Sequence, residues 1–128
     1  YKNDLSQESR YKLQSDAILK AAKKGNCIFV GRTADYILRD FKNTINIFVT
    51  ADIDQRIKNV CERRKIKCAE ARKYIIDKEE ARASYYNYYT GKQWGHSESY
   101  DLCINSSLLG IENTEAFIAE LIKKRFQL

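Results

Sequence analysis

Histidine is almost missing from this chain: His96 is the only one in 128 residues. That scarcity argues against a Cys/His zinc site and against Ser–His or Cys–His hydrolysis, both of which draw on imidazole. No apolar run approaches the length that spans a bilayer, and no secretory leader is read, so a cytoplasmic protein without a membrane partner is expected. The four cysteines, Cys27, Cys61, Cys68 and Cys103, contain no Cys-x-x-Cys spacing. Cys27 and Cys103 lie in apolar runs, which predicts buried thiols in a reducing compartment. There is no internal repeat, low-complexity tract or flexible linker, and no metal site is expected.

What is present describes a folded domain. Hydrophobic residues make up 44% of the chain and charged ones 31%, enough of both for a core and a solvated surface. Against 17 Asp and Glu stand 23 Lys and Arg, a net charge of +6. That balance favours an anionic partner (nucleotide, nucleic acid or acidic surface) without choosing among them.

Apolar periodicity predicts a helix from Tyr11 to Lys24 with Leu13, Ala17, Ile18, Ala21 and Ala22 on one face, stopped at Gly25-Asn26. Tyr1 to Arg10 shows no period. A first strand, Cys27–Val30, leads into a short helix over Thr33–Leu38. A second strand covers Ile45–Ala51; Asp52 then caps a basic helix, with Gln55 completing a capping box. A long helix is expected from Ala69 to about Tyr89, with Cys68 at its cap. Ala71, Ile75, Lys78, Arg82, Tyr85 and Tyr89 share one stripe of it, so two cations stand among apolar and aromatic groups. That stripe reads either as a cleft wall or as ordinary snorkelling. Tyr85-Tyr86-Asn87-Tyr88-Tyr89 reads as half-buried packing or as a base-stacking surface. His96 falls in a loop, as a solvated or hydrogen-bonded residue. A third strand over Tyr100–Asn105 precedes a Ser106-Ser107 turn. The last helix is capped by Glu112 or Asn113, with Ala116, Phe117, Ile118, Leu121 and Ile122 facing inward. Three strands alternating with helices imply parallel pairing.

The stretch from Asn26 to Tyr36 organises the rest. A short apolar strand runs into Gly31-Arg32, where open α/β folds bind ligands beyond a strand's carboxyl end. Gly31 permits a close approach, and a guanidinium matches phosphate or carboxylate. An ordinary turn with a solvated arginine has the same residues.

Three blocks carry a resemblance: Cys-Ile-Phe-Val-Gly-Arg-Thr-Ala-Asp-Tyr-Ile-Leu-Arg-Asp from Cys27, the run from Glu79 to Gly95 holding Tyr-Tyr-Asn-Tyr-Tyr-Thr-Gly-Lys-Gln-Trp-Gly, and Tyr100 to Glu112. In this order and spacing they resemble the cytidylate-kinase-like family of P-loop nucleoside monophosphate kinases. The resemblance implies an α/β fold, a three-layer sandwich about a parallel sheet, incomplete at its amino end. It implies one partial kinase-like domain over residues 1–128, with a lid-like region at about 63–95. The implied reaction moves the γ-phosphate of ATP, with Mg2+, to CMP or a related nucleoside monophosphate.

By the same resemblance, Gly31, Arg32, Asp35, Arg56, Arg63 and Glu79 would bind the acceptor, and Arg82, Arg64 and Lys78 would act in catalysis. Ile75 stands where related kinases have a lid arginine, for which Arg72 or Lys78 could compensate. Asn105-Ser106-Ser107 replaces an Asp-Thr-Thr-like turn. The phosphate-loop pattern Gly-x-x-x-x-Gly-Lys-Ser/Thr does not occur and is expected before Tyr1, the first residue. Two rival roles are a kinase-like regulatory or structural protein without activity, and a basic nucleic-acid-binding module, the less favoured partner.

Overall fold

A computed structural model describes residues 6–128. These residues form two compact units, one ending at Thr44 and the other spanning Ile45–Leu128.

In the first unit, helix α1 covers Gln7–Lys24, starting four residues earlier than its periodicity suggests. Ser6 supplies the reason: its Oγ accepts from the Ser9 N–H at 3.1 Å, satisfying an orphan amide of the first turn. Gly25, at φ 148°, ends the helix. Ile18 of α1 is buried with Ala34 and Leu38 of the segment around helix α2 (Ala34–Ile37), and Phe29 packs against them. Burying each large aliphatic side chain contributes roughly 1.5–3 kcal/mol.

The expected first strand is not a strand. Residues 26–30 are irregular, and Ile28 and Val30 are 93% and 88% exposed while Phe29 turns inward. The alternation is that of a strand, but no second strand pairs with it among the described residues. Cys27 is exposed as well, contrary to expectation.

The second unit holds a two-stranded parallel sheet, β1 (Ile47–Thr50) beside β2 (Leu102–Asn105), in register from Ile47 opposite Leu102 to Thr50 opposite Asn105. Two strands, not three, are therefore paired among the described residues. The crossover carries helices α3 (Ile53–Arg64) and α4 (Cys68–Thr90), as parallel pairing requires. The Asp101 carboxylate accepts from the Asn46 N–H at 2.7 Å and fixes one end of the ladder.

Side chains of the Asn105-Ser106-Ser107 turn tie the other end. Asn105 Nδ2 donates to Asp52 Oδ1 at 2.8 Å, the Asp52 N–H donates to Ser107 Oγ at 2.9 Å, and Ser106 Oγ donates to the Thr50 carbonyl at 3.1 Å. Asp52 precedes α3 without capping it by its side chain, because Asn105 engages its carboxylate, and Gln55 donates to Asn59 instead of closing a capping box.

Val60 of α3 is buried against Ala71 and Ile75 of α4, with Ile53, Ile57, Ile66 and Tyr74 around them. Lys67, not Cys68, is the residue before α4, and Gly91 ends it in the left-handed conformation. Phe48 then gathers an aromatic group: Trp94 lies edge-on at 5.1 Å and Tyr100 at 5.0 Å. Gly95 passes so close that a Cβ would sit 3.3 Å from Phe48 Cζ, at φ 79°.

Beyond β2, the expected Ser-Ser turn is a one-turn helix, α5 (Ser106–Leu109), capped by Asn105. Helix α6 (Ile111–Phe126) starts after Gly110, not at Glu112 or Asn113. Ile118, Leu121 and Ile122 are half-buried, but Phe117 is 50% exposed and Ala116 is exposed, because few described elements cover that face. Cys103 is exposed too, on a sheet only two strands wide. No described helix is long and apolar enough to cross a membrane.

Candidate functional site

In the first unit, three consecutive residues, Gly31, Arg32 and Thr33, take positive φ of 71°, 61° and 55°. For glycine this is costless, but for β-branched Thr33 it is an outlier costing of order 1–3 kcal/mol. The surroundings hold it. Thr33 is buried, its Oγ1 lies 2.9 Å from the Tyr11 hydroxyl, and its carbonyl accepts from the N–H groups of Tyr36 and Ile37 at 3.0 Å each. Tyr11 on α1 thus anchors the turn that displays Arg32.

Arg32 is exposed and lines an open groove of about 520 Å³ with Gly31, Ile28, Val30 and residues of α1. Gln14 also lines it, and its buried Nε2 has no hydrogen-bond partner among the described residues. A buried amide donor and a guanidinium on one apolar groove suit a polar, anionic ligand. Asp35 is half-buried in the first turn of α2.

The other expected site residues belong to the second unit. Arg56 on α3 and Glu79 on α4 meet at 3.1 Å, and Arg56 Nε also donates to the Ala51 carbonyl at 3.0 Å. Two donor groups of this guanidinium are thereby fixed, while its side chain remains 29% exposed. Near the helix turn, Arg64 lies over the Tyr74 ring at 4.4 Å and donates to its hydroxyl at 3.3 Å; Lys78 Nζ stands 5.6 Å from the same ring. Tyr74 therefore collects two of the expected catalytic cations about one aromatic ring. Arg63 and Arg82 are exposed and make no hydrogen bond or ion pair among the described residues. Ile75, at the place of a lid arginine in related kinases, is buried in the α3–α4 core.

The tyrosine run divides by burial. Tyr86 is 5% exposed and stacks toward Tyr100 at 6.5 Å, Tyr85 and Tyr89 meet at 4.9 Å, and only Tyr88 stands well out, 71% exposed. Rings packed on each other across helix turns do not make a flat platform for successive bases. His96 lies in the loop, its Nδ1 accepting from the Glu98 N–H at 3.3 Å.

A family model, the cytidylate kinase-like family, matches residues 1–108. The chain belongs to the cytidylate kinase-like family. Among relatives, a cytidylate kinase of Staphylothermus marinus is 32% identical over 103 residues, covering 80% of this chain and 58% of its own length. A cytidylate kinase of Ignicoccus hospitalis is 25% identical over 107 residues, 84% of this chain and 59% of its own. The chain thus spans under two thirds of either relative. A crystal structure of an uncharacterized protein from Eubacterium ventriosum superposes with a TM-score of 0.88 at 28% identity, over 94% of this chain and 69% of that one. In this member of the family, helices dominate and the parallel sheet is minor.

Sequence reasoning missed three participants. Tyr11 and Gln14 sit on a helix whose pattern reports only its apolar face, and Tyr74 carries no motif signal. A hydroxyl at 11 and a positive-φ threonine at 33 can be matched only once the chain is folded.

Proposed function

We propose that the whole protein is a nucleoside monophosphate kinase that transfers the γ-phosphate of ATP, with Mg2+, to CMP or a closely related monophosphate. The observation that carries this reading is the strained Gly31–Arg32–Thr33 turn on a groove where Gln14 Nε2 has no partner among the described residues, in a chain of this family. Arg32 takes the acceptor phosphate or base, Gly31 gives it room, and Asp35 orients the nucleoside. Arg56, held by Glu79, and Arg63 add to acceptor binding. Arg82, with Arg64 or Lys78, stabilises the charge that spreads over the moving phosphoryl group, a reaction needing fixed cations and little covalent chemistry. Residues of about 63–95 form the lid of one kinase-like domain, excluding water on closure.

A loop for the ATP phosphates is not identified within these 128 residues, and Mg2+, usually held by nucleotide phosphates with one or two carboxylates, needs no cluster of protein ligands. The chain's own contribution lies with the acceptor and with charge stabilisation.

The test is a coupled ATP-consumption assay on the whole protein across CMP, dCMP, UMP, AMP and GMP. Turnover with CMP or a close analogue is the expected result. No turnover with any of them would leave a kinase-like protein of non-catalytic role.

A further inference from the structure

Seven residues apart and without a recognisable spacing, Cys61 and Cys68 have sulfurs 3.4 Å from one another. The α3–α4 turn makes the pair. Lys65 takes the left-handed conformation at φ 55°, its N–H bonding to the Cys61 carbonyl, and the Ile66 N–H follows to that same carbonyl at 3.2 Å. The chain is thereby reversed so that Cys68, the first residue of α4, returns beside Cys61, in the last turns of α3.

The two thiols differ in setting. Cys61 is half-buried, packs on the Val60–Ala71–Ile75 core, and donates to the Ile66 carbonyl at 2.8 Å. Cys68 is exposed in the first turn of a 23-residue helix, where negative charge is favoured. One sulfur is open to a reagent and the other is fixed directly behind it. Closure to a bonded distance of about 2.0 Å brings the two sulfurs about 1.4 Å nearer. Cys27 and Cys103 are exposed without a sulfur neighbour among the described residues, so they serve as internal controls.

We propose that Cys61 and Cys68 form a dithiol site that reacts with low-molecular-weight disulfides and closes into an intramolecular bond across the α3–α4 turn. Cys68 Sγ, as thiolate, attacks one sulfur of the disulfide; the reagent's S–S bond breaks and one thiolate leaves, taking a proton from solvent. Cys61 gives up its proton and attacks Cys68 Sγ in the mixed disulfide, expelling the second reagent thiol. The protein loses two electrons and two protons, and the reagent disulfide is reduced to two thiols. This inference does not rest on the kinase reading.

The test treats the reduced whole protein with glutathione disulfide, then maps peptides by mass spectrometry without reduction. The expected product is a Cys61–Cys68 cross-linked peptide lighter by about 2 Da, for two hydrogens lost, with Cys27 and Cys103 as single glutathione adducts. Dithiothreitol should restore the starting mass. Cys61→Ser should trap glutathione on Cys68, and Cys68→Ser should abolish the cross-link. A second measurement covers a variant that fails to fold: phenylarsine oxide added to the unaltered chain should bridge the two sulfurs and survive competition by a monothiol. Separate adducts on Cys61 and Cys68, a bond formed only between chains, or reaction confined to Cys27 and Cys103 would overturn the proposal.

Discussion

The α3–α4 hairpin and the Asn26–Thr33 segment are both rich in apolar residues, yet they meet opposite fates. In the hairpin, Val60, Ala71 and Ile75 find one another through a single tight turn, and Ala71 is wholly buried. In the segment, Phe29 is packed but Ile28 and Val30 face outward, and the turn that follows holds three positive-φ residues. A hairpin is complete with its own local contacts. A strand is complete only with a neighbour, because its backbone donors and acceptors point sideways. The packed region holds its own shape and carries the candidate cations of α3 and α4, while the strained one displays Arg32.

That division can be broken first at Ile75. Ile75→Ala should cost about 2–5 kcal/mol in chemical denaturation, the range for emptying a packed aliphatic site, while Val30→Ala should stay within about 0.5 kcal/mol. Equal losses at both positions would end the distinction.

Arg32→Ala should do the reverse in the whole protein. Turnover with CMP should fall by about 10²-fold, as expected for removing one charge-matching donor, with the denaturation midpoint unchanged. A loss of stability without a loss of rate would make Arg32 structural.

A smaller effect is expected at Tyr11→Phe. Losing the hydroxyl beside Thr33 Oγ1 should lower stability by about 1 kcal/mol and loosen the turn, so that KM for the acceptor rises as well. Stability alone moving would show that the turn does not depend on Tyr11.

The least effect concerns Cys61, whose thiol is pushed above its ordinary value of 9.0, first by its hydrogen bond with Cys68, then by burial, then by the negative charges about it. The folded state holds this proton longer than the unfolded one, so the contribution is complete below about pH 9 and fades as pH rises through the folded value. Thermal melts from pH 7 to 11 should fall more steeply for the native chain than for Cys61→Ser. Parallel curves would remove Cys61 from the account.

How much of this was legible differs by residue. The stop at Gly25, the helix from Ile53 to Arg64 and the long helix ending at Gly91 were readable, because glycine punctuation and apolar period are local properties. The start of α1 was missed, since Ser6 announces itself only against an amphipathic run and Gln7–Arg10 is polar all round. The strand expected over Cys27–Val30 failed for a non-local reason: pattern specifies a face, while a partner must come from elsewhere. Arg56 and Glu79 were both read as acceptor-binding residues, and their mutual ion pair could not be foreseen across 23 positions of chain.

By itself the sequence determined the family, through ordered blocks such as Tyr-Tyr-x-Tyr-Tyr-Thr-Gly-Lys-x-Trp-Gly, and most helix positions, because these depend on neighbours within a few turns. Only the tertiary structure decided that Thr33 is held in a strained turn by Tyr11, that Arg64 lies over Tyr74, and that Cys61 touches Cys68. Each of these is a contact between residues separated in the chain, and such contacts exist only once the backbone has been folded back upon itself.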